Sequence, residues 1–214
     1  MLLLAPLSAA AGMCFASFGE VPAALLKKKV LKVVDGTTTE DAVLVYEAIR
    51  LVKPGGLGKV ERLDVNDPAF KEKIISEGVS LKEVFAISAE WDAISAEWIN
   101  GMETIFRLGY PSFKMYLDKE GDVNVATVNT FLRILSEKPD TLITRKAGAK
   151  AAHYVSLRAR EALDAGGAAT PEGRRLCWIL DEELHGAGGR LNPGATADLT
   201  AASIFVCLLE GVRY

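Results

Sequence analysis

Apolar residues recur at spacings of three and four along almost the whole chain, and no stretch sustains the two-residue alternation of a half-buried strand. The pattern predicts an all-α protein. The opening MLLLAPLSAAAGMCF is apolar and rich in small residues, but it lacks a basic stretch ahead of the apolar run and is too short and too interrupted to span a membrane. It reads as a buried core helix. Pro22 opens a second helix that runs to about Val34 and stops at Asp35-Gly36. Thr38 with Asp41 has the pattern of a capping box for a third, on which Ala42, Val45, Tyr46 and Ile49 form the inward stripe. Lys53-Pro54-Gly55-Gly56 ends it, because proline and glycine do not continue a helix.

Asp67-Pro68 starts a short helix, and Ser80 with Glu83 caps a long one expected to reach about Leu108. The long helix contains a direct duplication, AISAEW, at Ala86 to Trp91 and again at Ala93 to Trp98. A period of seven would keep Ile87, Ile94 and both tryptophans near one face. Further helices are expected over about 124–137, 144–165, 171–184 and 196–211, with Gly166-Gly167 closing the second of these. Nine helices, some short, suit a single compact bundle-like domain spanning 1–214.

Composition narrows the function without naming it. Of 214 residues, 50% are hydrophobic and 25% charged, and the net charge of -3 argues against sequence-independent binding of nucleic acid, which needs clustered cations. Lys27, Lys28, Lys29 and Lys32 form the one dense basic cluster, read as a solvated helix face with a polyphosphate contact as the alternative. Cys14, Cys177 and Cys207 are odd in number and widely spaced, which fits neither a disulfide nor a zinc pattern and points to a reducing cytoplasm. With only His153 and His185 in the chain, a histidine-rich metal site has no support. Glutamine is absent, a bias found in heat-adapted proteins.

Four stretches carry candidate chemistry. In GGRLNPGATADLTAAS, from Gly188 to Ser203, a glycine-proline turn leads into a helix that Thr196 is placed to cap, and such an N-terminus attracts phosphate. Asp198 near its start would repel bare phosphate but hold a bridging magnesium ion. A tight interhelical loop is the plain alternative. In PDTLITRKAG, from Pro139 to Gly148, Arg145 and Lys146 are placed to clamp phosphate groups, or simply to face solvent. In KPGGLGKVERLDVND, from Lys53 to Asp67, a glycine-rich loop precedes Asp64, Asn66 and Asp67, an oxygen-rich set without the spacing of an EF-hand or a P-loop. Lastly, Asp92 and Glu97 lie beside Trp91 and Trp98, where an apolar pocket would raise a carboxyl pKa, although five residues apart is not one helix face.

In order, LLLAPL, TTTEDAVLVYEAIRLVKPGGLG with DVND, WDAISAEW, PDTLITRKAG and LNPGATADLTAASIFVCLL resemble the triphosphoribosyl-dephospho-CoA synthase family over essentially the whole chain. The resemblance implies transfer of the 5-triphosphoribosyl group of ATP to a ribose hydroxyl of 3'-dephospho-CoA, with adenine expelled. It also implies ATP bound as a magnesium complex, a carboxylate for the positive charge at the anomeric carbon, and an acid for adenine. On this basis Asp198, Asp92 and Glu97 are the expected catalytic residues. Arg145, Lys146, Asn192, Gly194, Thr196, Gly55 and Gly56 are the expected nucleotide contacts, and Asp198, Asp64 and Asp67 the expected magnesium ligands. The alternatives are a related pentosyltransferase with a different acceptor, and a noncatalytic nucleotide- or CoA-binding subunit.

The family's N-terminal portion, with a Pro-Lys-Pro-Gly segment, has no counterpart ahead of LLLAPL in this sequence. The chain is thus expected to open inside or at the edge of a family helix. It should then expose an apolar face through which it forms a homo-oligomer.

Overall fold

The structure is a computed structural model that describes residues 1–53, 55, 57 and 60–213. Among these residues there are twelve α-helices, one π-helical segment and one 3-10 turn, with no strand. The all-α expectation holds. The capping boxes form as read: Thr38 opens α3 (Thr39–Val52) and exchanges hydrogen bonds with Asp41, and Ser80 does the same with Glu83 at the start of α5 (Leu81–Ser88). Ahead of them lie α1 (Leu4–Phe18) and α2 (Ala23–Asp35), which pack on each other, while α4 (Phe70–Glu77) lies against α3. On α2, Lys27 places its ammonium 6.0 Å from the Phe106 ring centroid, and Lys28 and Lys32 are exposed.

Two expected helices are broken, and the breaks shape the molecule. The long helix expected from Ser80 to Leu108 is α5, a turn, α6 (Ala93–Asn100), then the π-helical segment Ile105–Gly109 leading directly into α7 (Tyr110–Glu120). Asp92 breaks it first, because its carboxylate accepts from the Ser95 amide and so caps a new helix. Gly101, at φ 75°, and Met102, at φ 59°, end α6 in left-handed conformation. The expected common face for both tryptophans is therefore lost. Trp98 is buried and stacks on Phe85 at 4.6 Å, whereas Trp91 sits in the turn, 43% exposed. The paired serines of the duplication still meet, with Ser88 Oγ 2.8 Å from Ser95 Oγ.

The second break falls in the expected 144–165 helix. Asp140 caps α9 (Thr141–Ala147), and Gly148, at φ 91°, separates it from α10 (Ala149–Asp164). The remaining helices are α8 (Val123–Glu137), α11 (Pro171–Gly186) and α12 (Gly194–Leu209), with the 3-10 turn Gly167–Ala169 before α11.

Two main hydrophobic cores result. The larger gathers α1 to α6 around Leu7, Leu26, Val30, Ile74 and Met102, and α12 adds Leu199, Ala202 and Val206 to it. The other gathers α8 to α11 around Leu135, Ile143, Val155 and Leu180. Helix α12 touches α1, α6, α7, α8 and α9, so it runs along the join. Against the expectation of a wholly buried opening helix, α1 buries Leu7, Ala10 and Cys14 but exposes Phe15 and Phe18. No described helix is long and apolar enough to cross a membrane.

Candidate functional site

The N-terminal ends of α6, α9 and α12 meet, and polar side chains do the joining. Asp140, 2% exposed, accepts from the amides of Leu142 and Ile143 in its own helix and from both the amide and the hydroxyl of Thr196 in α12 at 2.7 and 2.8 Å. A single buried carboxylate thus satisfies unpaired N–H groups of two helices at once. Thr141 Oγ1 accepts from the Ala93 amide at the start of α6, and Arg145 donates to Asp92 at 3.0 Å, closing the junction from the α9 side.

Several expected site residues come together here. Asp92 and Arg145, on separate stretches of sequence, form an ion pair at the rim of a cleft, and Asp64 lines the same cleft. Asp198 on α12 lies near enough that the charges of Asp140 and Asp92 act on it. Its pKa is raised, first by burial of the carboxyl and then by those two neighbours, with the chain's amino terminus opposing. The residue is exposed to solvent, which keeps this effect modest. Lys146 follows Arg145, and its carbonyl accepts from Arg190, which holds the 188–193 turn against α9. Gly194 lets α12 begin close to α9, since a Cβ there would stand 2.8 Å from a Leu142 methyl. Asn192 is exposed on that turn.

Other expectations are corrected. Thr196 does not cap its own helix: it lies inside α12, buried, with amide and hydroxyl both given to Asp140. The place where phosphate was expected at the α12 N-terminus already holds the protein's own anion. Glu97 is 1% exposed and accepts from the Thr104 and Ile105 amides, so it anchors the π-helical segment, and it does not line the cleft with Asp92. Asp67 pairs with Lys73, whose hydrogen bond is the main cause of its lowered pKa, and it does not line the cleft with Asp64. Among the described residues no three His, Cys, Asp or Glu side chains are grouped to hold a metal. Gly55 lies in a turn, and Gly56 lies outside the described residues.

Three residues that the sequence reading did not place in the site matter for it. Asp140 has no local signal for its role, because its second partner is 56 residues away. Tyr46, one of the inward stripe of α3, and Arg50 on the same helix are the other two. They staple the 63–67 segment, Tyr46 through its hydroxyl to the Leu63 carbonyl at 2.6 Å and Arg50 to the carbonyls of Val65 and Asp67. Burial, with Asp64 nearby, pushes the Tyr46 hydroxyl up to about 12, so it stays protonated and donating.

Fold and junction together define an all-helical protein whose polar residues, drawn from three helices and a preceding loop, converge where its two cores join. A solved structure from Archaeoglobus fulgidus, described as a triphosphoribosyl-dephospho-CoA synthase, shares this fold with a TM-score of 0.74 and 27% identity, over 99% of this chain and 82% of that one. The chain belongs to the CitG family, ATP:dephospho-CoA triphosphoribosyl transferase, whose model matches residues 1–213. Among similar sequences, a Pseudomonas fluorescens (strain Pf0-1) protein carrying the name of 2-(5''-triphosphoribosyl)-3'-dephosphocoenzyme-A synthase is 26% identical over 152 residues, 71% of this chain and 50% of that protein. An Escherichia fergusonii protein of the same name is 28% identical over 107 residues, 50% of this chain and 35% of its own length. The chain thus spans half or less of the length of these curated relatives.

Proposed function

We propose that this chain transfers the 5-triphosphoribosyl group of ATP to a ribose hydroxyl of 3'-dephospho-CoA. The C1'–N9 bond of ATP breaks, the acceptor oxygen bonds to C1', the acceptor's proton is released, and adenine leaves protonated. The observation that carries this reading is the junction itself: Asp92, Arg145 and Asp198 converge in a chain matched end to end by the family model.

The chemistry divides among these groups. Breaking a ribose-to-base bond builds positive charge at C1', and Asp92, held in place by Arg145 and Ser95, is the carboxylate that faces it. Asp198, whose pKa is raised by burial and by the charges of Asp140 and Asp92, supplies the proton for adenine. Arg145 and Lys146, with the Asn192–Gly194 turn beside them, grip the triphosphate through their cationic groups, Arg145 from its place beside Asp92. Thr196 is no part of this grip. Magnesium enters with ATP as its complex, bound mainly by phosphate oxygens with a carboxylate in support, the usual way this ion is held.

The test is incubation of the chain with ATP, magnesium and 3'-dephospho-CoA, with free adenine read by chromatography. Acceptor-dependent adenine release is the expected result. Release without the acceptor would favour a different acceptor, and no release would remove the transfer reading for this chain. Asp198→Ala is expected to lower the rate by about a hundredfold or more, the scale of a lost general acid. We also infer self-association through the apolar residues exposed on α1 and α3, Phe15, Phe18, Leu44 and Leu51 among them. Light scattering showing a clean monomer would overturn that.

A further inference from the structure

We propose that the cleft between α3, α5 and the 63–65 segment is a slot for an adenine base, with Trp91 as its stacking wall. The proposal rests on the transfer reading only for the identity of the neighbouring triphosphate grip. The cleft encloses about 180 Å³, below the roughly 300 Å³ at which pockets for whole drug-sized ligands begin, so it takes part of a substrate. Its sides are apolar and partly aromatic, with Tyr46 and Ile49 from α3 facing Phe85 and Ile87 from α5. Trp91 stands among them with 43% of its surface exposed, although its duplicate Trp98 is buried. A large aromatic ring left open on an apolar cleft is an unspent stacking face, and planar bases bind such faces irrespective of sequence context.

The polar groups of the cleft refine the ligand. Asp64, Asp92, Ser88 and Ser95 all line it, and so does Arg145, which donates to Asp92 there. Carboxylate oxygens accept from an exocyclic amine and repel phosphate. A flat, neutral, amine-bearing heterocycle therefore lodges inside, and its phosphates run outward past Arg145 toward Lys146. Asp92 stands at that boundary, where the carbon joining base to sugar would lie. Adenine has this chemistry, and both ATP and 3'-dephospho-CoA carry it.

The experiment is isothermal titration of the full chain with adenosine, inosine and inorganic tripolyphosphate, repeated with Trp91→Ala and Trp91→Phe. Adenosine binding should weaken at least about tenfold in Trp91→Ala and persist in Trp91→Phe, with tripolyphosphate binding unchanged in both. Inosine, which lacks the amine, should bind more weakly than adenosine. Adenosine that fails to bind, binds equally to Trp91→Ala, or binds no better than inosine would overturn the slot. Competition identifies the source: displacement by ATP alone or by 3'-dephospho-CoA alone assigns the base to that substrate, and displacement by neither overturns the proposal. Adenine release is read separately, so a chain that binds adenosine at Trp91 without transferring anything loses the proposed function and keeps the slot.

Discussion

At Asp198 the surroundings work against the charged form of the carboxyl. Burial raises its pKa above the ordinary carboxyl value of 3.8, and Asp140 and Asp92 add to the shift. A folded-state pKa above the unfolded one means that the folded chain binds the proton more tightly. The resulting stability is fully present below the unfolded pKa and is lost as pH rises through the folded one. The charged carboxylate therefore costs stability near neutrality, by a margin that solvent screening at this exposed residue keeps small. Asp198→Asn should raise Tm at pH 7, with the gain shrinking toward zero below about pH 4, while it lowers adenine release. Scanning fluorimetry across pH checks this, and a Tm difference that does not change with pH would contradict it. Asp140 behaves oppositely, since Asp140→Ala strands buried donors on two helices. A loss of about 3 kcal/mol or more is expected in urea unfolding, from one lost cap and charge-assisted hydrogen bonds. At this scale the sequence is legible where partners are local. Thr38 with Asp41 and Ser80 with Glu83 are visible three residues apart, whereas the partners of Asp140 and Arg145 lie 56 and 53 residues away.

Among the helices, periodicity predicts which segments are helical far better than where each one stops. The 80–108 stretch has helical spacing throughout, yet Asp92 prefers to cap and Gly101 to turn left-handed, so one expected rod becomes three pieces. That breakage is what brings Asp92 to a helix start facing Arg145. Helix α7 escapes pattern reading because Gly109 and Pro111 interrupt it. Proline at 111 has no amide to give and crowds the carbonyl four residues earlier, and the π-helical register just upstream, with the Tyr110 amide bonded to the Ile105 carbonyl, widens the coil there. Gly109 has a second reason to be glycine: a Cβ there would lie 2.0 Å from Ser203 Oγ of α12. Gly109→Ala should destabilise the protein by about 1–3 kcal/mol in urea unfolding by overpacking that contact. A neutral result would mean that α12 yields more readily than its buried Ser203 implies.

For the whole molecule, burial decides reactivity as much as it decides stability. Cys14 and Cys207 are fully buried, and burial pushes the Cys207 thiol up to about 12, whereas Cys177 on α11 is only half-buried. A thiol reagent at pH 8 should modify Cys177 first and the other two only after urea, which mass spectrometry of the labelled chain checks. Fold class was readable from the sequence, because amphipathic spacing is continuous, and the PDTLITRKAG and LNPGATADL stretches that meet at the junction are each continuous too. The pairing of those stretches was not, since it depends on how two separately packed cores abut. Their abutment has a mechanical meaning. Asp140 to Thr196, Thr141 to Ala93 and Arg145 to Asp92 are three stitches along one seam, and each has an end on α9. A substrate seated across that seam becomes a fourth stitch, so its binding energy also fastens the two halves to each other. Product departure, equally, is the cutting of a thread that the empty protein has to do without.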